Sequence, residues 1–464
     1  MALFHSDDVR PVHFVGIAGA GMSALAELFH RRGVRVTGCD ASIAGVGDLK
    51  ALGIPVVAGH EPSHVDGARA LVVTSAMPKG HPELDRARQI GIPVIRRAEA
   101  LGEAVNDGRV VAVAGTHGKT TTTVLVTEAL AAAGMEPTGV VGARVAAWGG
   151  NLRRGGDDVF AVEADEYDRS FLSLRPTVAI VTNLEADHLD IYRDLEDIRE
   201  TFSTFLKPAR WVVACADDPE ANRLPYPVSA EVIRYGIEVE GAVSPDARLV
   251  ARRIRPEGVG SRFDVTFDYK SIGEFVLPLP GLHNVRNALA AIGTGLALGA
   301  EPAAMARGLA GVQGAERRFQ RIGEVRGIQV VDDYAHHPTE VAATLSAARG
   351  AYPGRRLVVA FQPHLFSRTR DFATEFGAAL AAADAVWLCD IYPAREQPIP
   401  GVSSALIASA MTGAGRPPAW TGPRTDVVAS LRPALRSGDV VVTMGAGDIT
   451  LASRDLLAAL AGRS

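Results

Sequence analysis

Short apolar runs alternate with longer stretches in which alanine and leucine recur at helical spacing, and this pattern holds over most of the chain. Runs such as "VVAVAG" and "VAIVTN" have no polar alternation, as expected of strands covered on both faces by helices. The pattern predicts an α/β chain with largely parallel sheets, arranged in three blocks. In the first block strands are predicted at 12–15, 34–37, 70–74 and 93–95. The polar "NDGR" at 106–109 reads as a linker. The second block carries apolar runs in "VVAVAG", "DVFAVEAD", "PTVAIVTN" and "ARWVVACADDP", then an irregular, less helical insert from about 225 to 280. A clear helix is predicted in "LPGLHNVRNALAAIGTGLALG". The third block opens near "GAERRFQRIGEV" and has strands in "IQVVDDYA", "RRLVVAFQPH", "AVWLCDIYPA" and "DVVVTMGAGDIT".

Chemistry-bearing residues gather where predicted strands end. "GTHGKTTTT" places Gly115, Gly118, Lys119 and Thr120 between a strand and a helix. Backbone N–H groups at such a turn attract an anion, so the turn predicts a phosphate site. It departs from the common phosphate-loop spacing because Val113 stands where the first glycine is usual. Lys119 can still reach β/γ-phosphates, and the Thr120 hydroxyl can serve Mg²⁺. "VEADEYD" offers Glu163, Asp165, Glu166 and Asp168, and "TNLEADHLD" offers Asn183, Glu185, Asp187, His188 and Asp190. Beside a phosphate loop these make a candidate site for a nucleotide-bound metal.

Near the N-terminus Gly16, Gly19 and Gly21 follow the order GxxGxG, the reverse of the dinucleotide fingerprint, which argues against NAD. A nucleotide or diphosphate is expected there, with Asp40 at ribose distance; the alternative is tight helix–strand packing without a ligand. In the third block Asp332, Asp333, Tyr334, His336 and His337 follow one strand, and His364, Arg368 and Arg370 follow the next. Forked guanidinium donors in such a setting suit a carboxylate or phosphate.

Composition narrows the class. With 47% hydrophobic and 22% charged residues in 464, the chain reads as globular and too long for one core. A net charge of −5 gives no footprint for nucleic acid, and no apolar stretch is long enough for a membrane span. The opening residues lack a basic region plus apolar core, so no secretory signal is expected and a cytoplasmic location is. Cys39, Cys215 and Cys389 are widely spaced and form no CxxC pair. They are expected to be free thiols, with no structural zinc site.

Taken together, "HFVGIAGAGMS", "GTHGKTTTT", "VEADEYD", "TNLEADHLD", "GLHNVRNALAA", "RRFQ", "DDYAHHPTEV" and "FQPHLFSRTRD" resemble the Mur ligases over all three blocks. The resemblance implies a Rossmann-like N-terminal domain (1–107), a phosphate-loop-type central ATPase domain (108–314) and a Rossmann-like C-terminal domain (315–464). The implied reaction joins L-alanine to the lactyl carboxylate of UDP-N-acetylmuramate, with ATP and Mg²⁺, in a monomer or weak dimer. Gly16, Gly19, Gly21, Met22, Ser23, Asp40 and Ser75 would hold the UDP-sugar. Gly115, Thr116, His117, Gly118, Lys119, Thr120, Thr121, Asn183, His283, Asn287, Arg318 and Asp333 would hold ATP. Thr120, Glu163 and His188 would ligate the metal. Lys119, His188, His336 and Arg368 would be catalytic, the last two beside the incoming alanine. Two departures stand out: Leu365 replaces an arginine frequent in the family, and Ser203 stands near the position of the carbamylated lysine of sister ligases. The remaining rivals are the ligase that attaches a whole tripeptide, a nicotinamide dehydrogenase and a non-catalytic nucleotide switch.

Overall fold

The computed structural model describes residues 3–4, 7–74, 77–78, 80–188, 191–394 and 396–462, so the expectations for Ser75 and Asp190 lie outside the described residues. Among the described residues three sheets organise the chain. The first has five strands in the order Val56–Ala58, Val36–Asp40, Val12–Val15, Ala70–Val73, Val94–Arg96. All its neighbours are parallel. The order reverses at Val12–Val15, so the loop after that strand opens at a topological switch point, where ligands of open α/β sheets bind.

The second sheet has ten strands, with Val178–Val181, Arg109–Ala114 and Val159–Glu163 side by side and parallel near its middle. Val110, Val111, Ala112, Val113 and Ala114 are fully buried, which explains the unbroken apolar run in the sequence. The region expected to be irregular is corrected by the structure. Glu231–Ile237, Leu249–Glu257, Gly260–Phe267 and Lys270–Leu277 are strands that extend this sheet at one end. Charged side chains on the exposed positions of Leu249–Glu257 hide the strand signal in that segment.

The third sheet has six strands in the order Gln320–Val325, Ile328–Asp333, Val440–Met444, Leu357–Phe361, Ala385–Cys389, Trp420–Gly422. Only the first pair is antiparallel. Its two edge strands had no counterpart among the predicted elements, being short or half-exposed.

Contacts divide the chain into two compact units: Met1–Ile254 with Phe263–Val276 and Val285–Ala315, and Glu316–Ser464 with Arg255–Arg262 and Leu277–Asn284. The first unit contains the five-stranded sheet and most of the ten-stranded one; the second contains the six-stranded sheet. Among the described residues no helix is long and apolar enough to cross a membrane.

Candidate active site

The turn from strand Arg109–Ala114 to helix Lys119–Ala132 is built around two glycines in the left-handed region, Gly115 (φ 134°) and Gly118 (φ 83°). A Cβ at Gly115 would lie 2.0 Å from Thr182 Oγ1, and one at Gly118 would lie 2.8 Å from Asn287 Oδ1. Both positions therefore need glycine for space as well as for conformation. Asn183 holds the turn in shape. Its Oδ1 accepts the His117 N–H at 2.8 Å and its Nδ2 donates to the His117 carbonyl at 3.1 Å. The Thr182 hydroxyl donates to the same carbonyl at 2.7 Å. The Thr116 hydroxyl accepts the Glu185 N–H at 2.9 Å, and His117 Nε2 lies 3.4 Å from Glu185 Oε2. Asn183 and Asn287, both expected at ATP, thus sit against the turn itself. Thr120 and Thr121 are buried at the start of the helix, whose amides are a ready anion site.

Lys119 folds back over this turn. Its ammonium donates to the carbonyls of Gly115 (2.7 Å) and Thr116 (3.1 Å) and pairs with Glu166 at 2.9 Å. Burial disfavours the charged amine, but Glu166, Asp165 and Glu163 outweigh it and raise the Lys119 pKa above the ordinary lysine value. Glu166 is buried, its backbone carbonyl accepts the Tyr192 hydroxyl at 2.6 Å, and His188 Nε2 lies 3.7 Å from its carboxylate. His188 itself has φ 55°, a conformation uncommon outside glycine and enriched at functional sites. Glu163 ends strand Val159–Glu163 with Oε1 buried and without a hydrogen-bond partner. A Cβ at Gly142 would stand 2.8 Å from Glu163 Oε2, so glycine there leaves room for the carboxylate. An orphaned buried carboxylate oxygen beside the phosphate turn suits a hard cation.

In the five-stranded sheet, Gly16 has φ 76°, as the sharp turn after the first strand requires. Asp40 secures this turn: Oδ2 accepts the Ala18 N–H at 2.9 Å and Oδ1 accepts the Ser42 N–H at 3.0 Å. A Cβ at Gly21 would meet the Arg97 guanidinium at 2.9 Å. An open cleft of about 200 Å³ lies beside the turn, lined among others by Ala18, Ser23, Asp48, Arg144 and Asn151. Met22, by contrast, is buried in the core.

In the second unit strand Ile328–Asp333 ends in two buried aspartates. Asp333 accepts the backbone N–H groups of Phe319 (2.7 Å) and Ala335 (2.8 Å) and the Thr344 hydroxyl (3.1 Å). Burial nonetheless pushes its pKa up to about 6. Its oxygens are engaged inside the protein, a setting the ribose expectation did not foresee. The guanidiniums of Arg317 and Arg318 lie 4.8 and 5.1 Å from the Tyr334 ring. His336 Nδ1 lies 3.0 Å from both the Tyr334 carbonyl and Glu340 Oε2, two acceptors, so Nδ1 carries a proton. The His336 ring stands 5.9 Å from that of His364. Arg368 is buried on the helix Phe366–Asp371, entered through Leu365 at φ 70°. His283 stands in the first turn of helix Leu282–Leu298, against Gly281.

The partner of Lys119 was not legible beforehand: Glu166 was one of four carboxylates in "VEADEYD", and only the fold selects it. Arg97, which faces Gly21 and lies 3.7 Å from Asp165, had no sequence signal at all.

Three family models match in succession: the Mur ligase family catalytic domain over residues 11–109, the Mur ligase middle domain over 113–295 and the Mur ligase glutamate ligase domain over 317–447. A UDP-N-acetylmuramate–L-alanine ligase of Acidothermus cellulolyticus is 46% identical, over 97% of this chain and 95% of its own. One from Renibacterium salmoninarum is 45% identical, over 98% and 97%. Among solved structures, the UDP-N-acetylmuramate-alanine ligase of Thermotoga maritima matches with a TM-score of 0.83 and 27% identity, over 98% of this chain and 100% of that one. A murein peptide ligase of Psychrobacter arcticus matches at 0.72 and 26%, over 97% and 98%. The chain belongs to the Mur ligase family.

Proposed function

We propose that this protein joins L-alanine to the lactyl carboxylate of UDP-N-acetylmuramate, using ATP, in the cytoplasmic synthesis of peptidoglycan precursors. Near-full-length likeness to relatives that bear this name carries the reading, and the phosphate turn with its half-buried Lys119 supports it. The substrate carboxylate attacks the γ-phosphorus of ATP, ADP leaves, and an acyl phosphate forms. The alanine amine attacks that carbonyl, and the tetrahedral intermediate expels phosphate. Lys119, released from Glu166 toward the nucleotide, neutralises charge on the transferred group, and the N–H groups of the turn fix the phosphates. Thr120, Glu163 and His188 would hold Mg²⁺, which when bound offsets phosphate charge. His283 and Asn287 serve the adenine side; Arg318 and Asp333 serve phosphate and ribose. His336 and Arg368 stand for the incoming amino acid, and the glycine turn with Ser23, Asp40 and Ser75 for the UDP-sugar. This reading keeps three domains, with boundaries near 107 and 314, and a monomer or weak dimer.

The deciding experiment is phosphate release from ATP with each substrate omitted in turn. Release that needs both UDP-N-acetylmuramate and L-alanine supports the reading. Release with the tripeptide but not with alanine would assign the chain to the murein peptide branch, and turnover without an amine would make it a nucleotide switch. Calorimetry showing tight NAD binding but none for UDP-N-acetylmuramate would overturn the diphosphate role of the glycine turn.

A further inference from the structure

The five-stranded sheet carries a second group of metal-binding side chains, away from the phosphate turn in sequence and unused by the ligation chemistry. Glu83, fully buried in the first turn of helix Pro82–Gln89, points its carboxylate at the end of strand Val36–Asp40. Cys39 Sγ lies 3.0 Å from Glu83 Oε2, His60 Nδ1 lies 3.6 Å from the same oxygen, and Cys39 Sγ and His60 Nδ1 are 3.4 Å apart. Three donors on a tetrahedral zinc ion, with bonds of about 2.0–2.3 Å, stand roughly 3.3–3.6 Å apart. Two of the three separations fall in that range, and the third, between Cys39 Sγ and Glu83 Oε2, is shorter at 3.0 Å.

Two further histidines approach it. His13 has a ligating nitrogen within 4.8 Å of the Cys39 and Glu83 donors, and His81 has one within 4.8 Å of those of His60 and Glu83. Both are more than nine-tenths buried, and His13 Nε2 and His81 Nδ1 have no hydrogen-bond partner. His13 Nδ1 meets the Thr37 hydroxyl at 2.9 Å, the kind of outer contact that fixes a ligating imidazole. His64 Nδ1, at 2.8 Å from Glu83 Oε1, steadies the other carboxylate oxygen.

We infer that Cys39, His60 and Glu83 form a structural Zn²⁺ site, with a fourth ligand from one of the two buried histidines, His13 or His81. Thiolate and imidazole donors select zinc over magnesium or calcium. Binding forms the Sγ–Zn bond and releases the Cys39 thiol proton to solvent, with no change of oxidation state. The absence of any CxxC pair had argued against zinc; the ligands instead come from separate elements that the fold assembles. The site has a structural consequence. The Cys39 carbonyl accepts the N–H groups of Gly16 (2.8 Å) and Ile17 (3.0 Å), so the ion would brace one wall of the glycine turn.

The test uses the full chain, stripped of metal by chelator dialysis and titrated with Co²⁺ as a spectroscopic probe. One equivalent should give a thiolate-to-cobalt charge-transfer band and tetrahedral visible bands, both abolished by Zn²⁺. Cys39→Ser should lose the charge-transfer band, and His60→Ala should weaken binding at least tenfold. Zn²⁺ should raise the apparent Tm of the wild type and not of Cys39→Ser. X-ray absorption at the zinc edge, which needs no variant, should show one sulfur among four ligands. A sulfur-free shell, or a thiolate band that persists in Cys39→Ser, overturns the assignment.

Discussion

Glu166 holds the ammonium of Lys119 at 2.9 Å, in a pocket where the carboxylate is buried and the lysine nearly so. The lysine that the phosphate turn needs is therefore stored on a protein carboxylate, and a nucleotide must draw it away. Burial opposes its charge, and the surrounding acids restore it.

Lys119→Ala should lower kcat by about a hundredfold or more, the scale of one preorganised charge donor. Near-normal turnover in a folded variant would remove the turn from the mechanism. Glu166→Gln withdraws a carboxylate that raises the Lys119 pKa, so Lys119 should lose its proton at lower pH. The alkaline limb of the kcat profile should move down in pH; an unmoved limb would separate the two residues functionally.

Glu163→Ala should raise the Mg²⁺ concentration needed for half-maximal activity. Gly142→Ala should do so too, because its Cβ would stand 2.8 Å from Glu163 Oε2 and displace the carboxylate. Titrating Mg²⁺ at saturating substrates checks both, and an unchanged requirement in Glu163→Ala excludes that residue as a ligand.

Arg368→Lys should raise the KM for L-alanine about ten- to a hundredfold, equivalent to losing a charge-assisted bond of roughly 1.5–3 kcal/mol. The KM for ATP should stay near wild type. Equal rises for all three substrates would mean that buried Arg368 supports the fold of its helix, not the substrate carboxylate. Leu365→Arg, which leaves the strained φ 70° at that helix start unrelieved, should tighten alanine binding if a guanidinium is accommodated.

Asp333 makes a pH prediction. Burial raises its pKa to about 6 in the folded state from the 3.8 of an exposed aspartate, so the folded state holds the proton longer. Its stabilising contribution is fully present below pH 3.8 and is lost as pH rises through about 6. Urea midpoints of wild type and Asp333→Asn should therefore diverge between these values, the wild type losing stability relative to the variant. Parallel curves would show that folding leaves the Asp333 pKa unchanged.

The sequence by itself determined the alternation of elements, the parallel sheets and the turns on which chemistry gathers. Unbroken apolar runs such as Val110–Ala114 suit strands covered on both faces, and a lysine and threonines after glycines have few uses other than an anion. These signals are local, carried by residues within one turn of each other. The strand at 249–257 was lost because charged side chains on its open positions mask the alternation. The partners were lost for a different reason. Nothing along the chain says that Glu166, rather than Glu163 or Asp165, meets Lys119, or that Asn183 closes the phosphate turn. Nor does it show that Cys39, His60 and Glu83, from a strand end, a loop and a helix start, converge within 4 Å. Such meetings depend on strand order and on the burial that the fold imposes, and only the tertiary structure decided them.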